Sequence, residues 1–193
     1  MRVQVLSPYP EFIAAAITDH GDTVVDRDPE FIVSYGHREI FKPDFIARYP
    51  DRIINIHISI LPWNRGADPN FWSWFDNTPK GVTIHKIDAG LDTGDILAQE
   101  EFNFTGYDDT LESSYERLKC TAEILFRKVW PDIRDGKIAP KKQTGRGSYH
   151  NARDKTPIFE RHGITWQTKC SEIEKLRILS ERGGNGDAVV RQT

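Results

Sequence analysis

The chain is predicted to fold as an open, mostly parallel α/β sheet flanked by helices, from three observations. Short apolar runs (Val3–Leu6, Phe31–Tyr35, Ile53–His57) alternate with stretches carrying helix signals at 10–20 and 43–49. Those runs are apolar throughout, as strands covered on both faces are. Two later runs, Gly81–Ile87 and Ile96–Phe104, flank a turn bounded by Gly90 and Gly94 and should pair with each other. A length of 193 residues favours one domain and permits a sizeable core.

The elements follow in order. After the first strand, Pro10 and Glu11 open a helix to about His20, with Phe12, Ala15, Ala16 and Ile17 expected inward. Gly21 stops it. Thr23–Val25 and Phe31–Tyr35 are two more strands. Pro43 starts a helix to about Tyr49, and Ile53–His57 is the next strand. Pro69–Phe75 is a helix rich in aromatic area, expected to serve the core. Thr110 is the candidate N-cap of a long helix to about Asp135. Along it Tyr115, Leu118, Ala122, Leu125 and Val129 recur at helical spacing, and Pro131 should bend or end it. Residues 137–155 are basic and glycine-containing and read as a loop, either a solvated connector or a phosphate-contacting strap. Thr165 caps a last helix from Trp166 to about Glu181. The Gly183–Gly186 stretch should break it, leaving a frayed end. In outline, 1–135 is expected to be the catalytic domain and 136–193 a basic loop with a helical C-terminal extension.

Composition narrows the function. A net charge of −3, from 26 basic and 29 acidic residues, argues against nucleic acid as a partner. No apolar run approaches the roughly 20 residues that cross a bilayer, and the N-terminus lacks a secretory core, so a cytoplasmic enzyme without membrane contact is expected. Cys120 and Cys170 stand far apart and are expected to be reduced, buried and structural. Asp88, Asp92 and Asp95 do not have the spacing of a calcium loop, and no metal is expected.

The chemistry lies in one strand and one turn. Asn55 and His57 stand two apart in an extended run, so their side chains share a face and can converge on one ligand. Ligands of open α/β sheets collect beyond the carboxyl ends of the strands, where this pair lies. An amide and an imidazole are suitable donors for an oxygen that gains charge during acyl transfer to an amine. Asp92, in the glycine-bounded turn, can take the proton that the amine loses. Beside His57 it would also favour the protonated ring. His85 is expected to face away or to be simply buried.

These pieces stand within a longer pattern. Asn55-Ile56-His57-Ile58-Ser59-Ile60-Leu61-Pro62-Trp63-Asn64-Arg65-Gly66-Ala67-Asp68-Pro69, followed by Gly81-Val82-Thr83-Ile84-His85-Lys86-Ile87-Asp88-Ala89-Gly90-Leu91-Asp92-Thr93-Gly94-Asp95, resembles the folate-dependent formyltransferases. That family includes methionyl-tRNA, glycinamide ribonucleotide and sugar N-formyltransferases. The resemblance covers about Phe31 to Phe104. It implies a Rossmann-like fold, 10-formyltetrahydrofolate as formyl donor, and Asn55, His57 and Asp92 as catalytic trio. The segment Ser34–Pro43 looks like the family's pterin loop, so Arg38, Glu39, Ile40 and Phe41, with Asp88, Ala89 and Gly90, are implied to hold the donor.

Only about 35 residues precede that loop, so the fold is expected to be shortened at its N-terminus, in a region that normally helps hold the acceptor. The segment Gly147–Lys155 looks like the post-domain segment of sugar N-formyltransferases. The implied acceptor is a primary amine on a small molecule, a nucleotide-linked amino sugar first. Two alternatives stay open, a formyltetrahydrofolate hydrolase and a folate-binding module without catalysis. The aromatic helix and the long helix are candidate surfaces for a homodimer.

Overall fold

The computed structural model describes residues 1–106 and 108–182. In chain order it contains β1 (Arg2–Leu6), α1 (Glu11–Asp19), β2 (Thr23–Val24), β3 (Phe31–Tyr35), α2 (Pro43–Arg48), β4 (Ile53–His57) and β5 (Arg65–Gly66). There follow α3 (Pro69–Phe75), β6 (Gly81–Lys86), β7 (Ile96–Glu101), α4 (Leu111–Arg134), β8 (Tyr149–His150), α5 (Thr156–His162) and α6 (Cys170–Arg182). The glycine break expected at 183–186 and the end beyond it lie outside the described residues.

The main sheet has the order β2-β1-β3-β4-β6-β7. Strands β1 to β4 run parallel, β6 runs antiparallel to β4, and β7 antiparallel to β6. An open, mostly parallel sheet with flanking helices is therefore what the alternating pattern produces. All five residues of β3 are buried, which suits its central place and its Phe-Ile-Val composition. One apolar cluster joins the strands to α1 and α4, through Ile13, Ala16, Ile17, Leu118, Ala122, Phe126 and Trp130. A second joins α3, the start of α4 and α6, through Phe71, Trp72, Leu111 and Ile173.

Several expectations are corrected. On α1 the buried residues are Ile13, Ala16 and Ile17; Ala15 is exposed and Phe12 only half-buried under the Arg127 guanidinium. Thr110 does cap α4, but as a reciprocal box with Ser113: its hydroxyl accepts from Ser113 N at 3.2 Å, and its own N donates to Ser113 Oγ at 3.0 Å. Pro131 does not end that helix, which continues to Arg134. Proline removes the donor for the carbonyl four residues back, Arg127, and the His20 ring Nε2 approaches that oxygen at 3.3 Å instead. The last helix begins at Cys170, not Trp166, because Thr165 caps a tight turn first, accepting from Gln167 N at 3.2 Å. The sequence reading did not include α5, although Pro157 in its first turn and Gly163 at its end are regular start and stop signals. Cys120 is exposed and Cys170 buried, so only the second matches expectation. The segment 137–155 is not a free connector: Lys141 bridges to Ile96, and β8 pairs in parallel with β5. No helix among the described residues is long and apolar enough to cross a membrane.

Asp22, just after α1, ties the C-terminal end of α4 to the start of the chain. Its carboxylate accepts from the N-terminal ammonium at 2.9 Å, Trp130 Nε1 at 3.0 Å and Arg134 at 3.1 Å. Burial pushes this carboxyl up, but those three donors outweigh burial and hold it below its ordinary value. Asp22→Asn should cost about 3 kcal/mol at neutral pH, since it leaves buried donors facing an amide. A carboxyl depressed on folding stabilises above its unfolded value near ~3.9 and loses that stabilisation as pH falls through its folded value. Urea unfolding of both forms should therefore show a gap at pH 7 that narrows in strong acid.

Candidate active site

The site forms where β4 reaches the carboxyl edge of the parallel strands. Asn55 and His57 share one face there, and β6 places His85 directly opposite Asn55. The turn after β6 then returns Asp92 over the same place. Asp92 has φ 53°, a left-handed conformation that Asp tolerates better than most residues. Gly94 makes the return tight enough, because a Cβ there would sit 1.8 Å from the Lys86 carbonyl oxygen.

Asp92 is the hub. Its Oδ1 accepts from Asn55 Nδ2 at 3.3 Å and lies 3.5 Å from His85 Nε2. Its Oδ2 accepts from Gly66 N at 2.8 Å and lies 3.7 Å from His57 Nδ1. The side chain is 11% exposed. Burial alone would raise this carboxyl. The His57 imidazole, the His85 ring and the Gly66 amide together prevail and hold it well below the usual carboxylate range. It is thus a carboxylate at neutral pH.

The two rings are fixed by their far nitrogens. His57 Nε2 donates to the Asn64 carbonyl at 2.9 Å, which leaves Nδ1 toward Asp92. His85 Nδ1 donates to the Lys86 carbonyl at 2.8 Å, which leaves Nε2 toward Asn55 at 3.3 Å and Asp92. With Nε2–H committed, His57 can donate to Asp92 only as the doubly protonated ring. The expectation that His85 faces away is therefore corrected: it is 1% exposed and lies within the cluster. Pairing of β4 with β6 puts it there, and single-strand alternation carries no information about which strands are neighbours.

A loop from Ile58 to Gly66, turning through a cis Leu61–Pro62 peptide, delivers the Gly66 amide. Asn64 anchors it: its Nδ2 donates to Thr78 Oγ1 at 2.7 Å, and its Oδ1 accepts from the Ser148 hydroxyl at 3.0 Å. Gly66 has φ +88°, and a Cβ there would lie 2.3 Å from the His150 carbonyl. Glycine is what lets β5 lie against β8 with its N–H aimed at Asp92. Asn64 and Gly66 were not singled out from the sequence, although both stand inside the pattern that drew attention to Asn55.

One depression is lined by Arg38, Glu39, Ile40, Phe41, Asp88, Ala89 and Gly90, together with Asn55, His85 and Asp92. All seven residues expected at a donor pocket thus border the polar hub, while His57 sits behind Asp92 and is not on the lining. Residues 37–41 and 88–91 have no helix or strand ladder, and within the second stretch Gly90 N donates to Asp88 Oδ1 at 3.0 Å. Ile40 is 78% exposed at its rim, whereas Phe41 is tucked against Phe45 with ring centroids 5.5 Å apart. Backbone donors and acceptors beside exposed apolar side chains suit a flat heteroaromatic ring.

Residues 15–129 match the family model described as formyl transferase. The chain belongs to the formyl transferase family. A formyltransferase of Anoxybacillus kamchatkensis, PseJ, is 40% identical with a TM-score of 0.84, over 90% of this chain and 97% of that one. It was solved in complex with UDP-4,6-dideoxy-4-formamido-L-AltNAc and tetrahydrofolate. A sugar N-formyltransferase of Shewanella sp FDAARGOS_354 shares the fold at 24% identity and a TM-score of 0.73, over 93% of this chain and 88% of that one. A methionyl-tRNA formyltransferase of Thermodesulfovibrio yellowstonii is 35% identical over 63% of this chain, and the match spans 40% of that relative's length.

The hub yields a test that needs no substrate. His57→Gln removes the foremost group holding the Asp92 carboxyl down. Carbon NMR titration should show Asp92 still ionised at about pH 3 in the unaltered protein, and titrating at a higher pH in the variant than in the unaltered protein.

Proposed function

We propose that this formyl transferase moves the formyl group of 10-formyltetrahydrofolate onto the primary amine of a nucleotide-linked amino sugar. The observation that carries this reading is the 40% identity, over nearly the whole of both chains, with an enzyme solved with a UDP-linked formamido sugar and tetrahydrofolate. The depression beside Asn55 and Asp92 supports it, because polar groups of the hub and the apolar Ile40 and Phe41 line it together, as a flat heteroaromatic ring would need.

In this reading the donor lies in the depression with its formyl carbon beside Asn55. Asn55 donates through Nδ2 to the formyl oxygen as negative charge develops there. Its present bonds, at 3.3 Å to both Asp92 and His85, are long and readily exchanged for that oxygen. His57, anchored on Asn64, supplies positive charge behind Asp92 when its ring is protonated. Asp92 accepts the proton that the amine loses as its nitrogen bonds the formyl carbon. That proton passes to the donor nitrogen as the old carbon–nitrogen bond breaks. A depressed carboxyl is a weak base but is always in its accepting form at neutral pH.

The test is tetrahydrofolate release from 10-formyltetrahydrofolate against a panel of nucleotide amino sugars, with amino acids and phosphoribosyl amines as controls. Release should require an amino-sugar nucleotide. Asn55→Ala should lower turnover by about 10²–10³-fold with the melting temperature little changed. Asp92→Asn should lower it by at least as much while the far-ultraviolet circular dichroism of the folded protein is kept. Formate release at the full rate without amine, or full activity in both variants, would overturn the reading.

A further inference from the structure

Gln143, in the segment between α4 and β8, stands outside the trio and the donor depression. Its Nε2 donates to two carbonyls of the site turn, Asp92 O at 2.8 Å and Gly94 O at 2.9 Å. Its Oε1 accepts from Arg65, from Nε at 3.1 Å and Nη2 at 2.8 Å. The amide has two hydrogens and two lone pairs, and all four are used. The reverse orientation would face its oxygen to two carbonyls and its NH₂ to a guanidinium, so this orientation is fixed by its neighbours. Lys141, two residues earlier, pairs with Ile96 in both directions at 2.7 and 2.8 Å, which anchors the segment beside the turn.

These contacts close a ring. Gly66, next to Arg65, holds the Asp92 carboxylate, while Gln143 holds both the Arg65 side chain and the Asp92 backbone. Asp92 is thereby gripped at both ends, in a left-handed conformation that the turn alone would hold less firmly. Two separate chain segments, 64–66 and 141–143, share that grip. We infer that Gln143 is a positioning residue for formyl transfer, acting through Asp92, which its amide nitrogen keeps in register with Gly66, His57 and His85. This inference rests on the reading in the preceding subsection.

Two variants separate the halves of the amide. Gln143→Glu keeps an acceptor for Arg65 but turns an oxygen on the two turn carbonyls; Gln143→Met removes both halves at similar volume. Single-turnover transfer should slow about 10- to 100-fold in both, because misplacing a reacting group by about an ångström costs that much. The acid limb of the rate profile should also move upward toward ~4, since a loosened Asp92 loses the groups that depress it, the Gly66 amide and the His57 and His85 rings. Substrate-free hydrogen exchange at the Gly66 amide should quicken at least about tenfold in both variants, with β3 amides as the internal control of folding. Absence of transfer in the unaltered protein would defeat the proposed function, while the exchange readout would still decide the grip. The inference is overturned if Gln143→Glu matches the unaltered protein in rate and exchange, which would leave only the Arg65 half. It is equally overturned if rates fall with the acid limb and Gly66 exchange unmoved.

Discussion

One largely buried carboxylate, that of Asp92, organises the candidate site. Asp92 must stay ionised at 11% exposure, and an unpaired charge so placed would not be tolerated. It is surrounded by groups drawn from three strands: the Asn55 amide and the Gly66 N–H donate to it, from β4 and β5, and the His57 and His85 rings lie beside it, from β4 and β6. The two rings and the Gly66 amide are each secured by a second contact. Asn64 carbonyl fixes His57, Lys86 carbonyl fixes His85, and the β8 strand fixes Gly66. The hub is therefore no more precise than the sheet and loops around it.

This dependence gives the rest of the fold its meaning. The parallel strands set Asn55 and His57 at a common edge, and the switch to antiparallel at β6 brings a second imidazole opposite them. The hairpin turn returns the carboxylate over that edge. The segment after α4 then crosses back and pairs with both Ile96 and Arg65–Gly66. Packing of α1 and α4 against the sheet holds this frame, with the Asp22 cluster locking the two helices to the first strand. The depression lined by Arg38–Phe41 and Asp88–Gly90 is the open side of the same hub, so in the proposed function the groups that bind and the groups that react would share one support.

Much of this was legible in the sequence for physical reasons. Strand period and apolar runs located β1, β3, β4, β6 and β7. The i, i+2 rule put Asn55 and His57 on one face, and Gly90 and Gly94 marked the turn that carries Asp92. Contacts set by tertiary pairing were not legible. His85 enters the site only because β6 neighbours β4. Gly66 enters through a two-residue strand pairing, and Gln143 through side-chain bonds beside the isolated Lys141–Ile96 bridge; neither has a periodicity to read. Ala15 for Ile13 on α1 was an error of helical phase. At Pro131, where a bend or an end was expected, the helix does not end but runs on to Arg134, beside its expected end, and the His20 ring approaches the carbonyl that proline strands, a long-range contact that local propensity does not contain.

The most direct test of the central claim is a crystal structure with tetrahydrofolate and an amino-sugar nucleotide bound together. The folate ring should lie against Arg38–Phe41 and Asp88–Gly90. The sugar amine and the folate nitrogen should meet within about 3.5 Å of each other, beside the Asp92 carboxylate and the Asn55 amide. A sugar amine seated away from Asp92, such as in the cavity between β7 and α6 lined by Lys80 and Glu174, would contradict it.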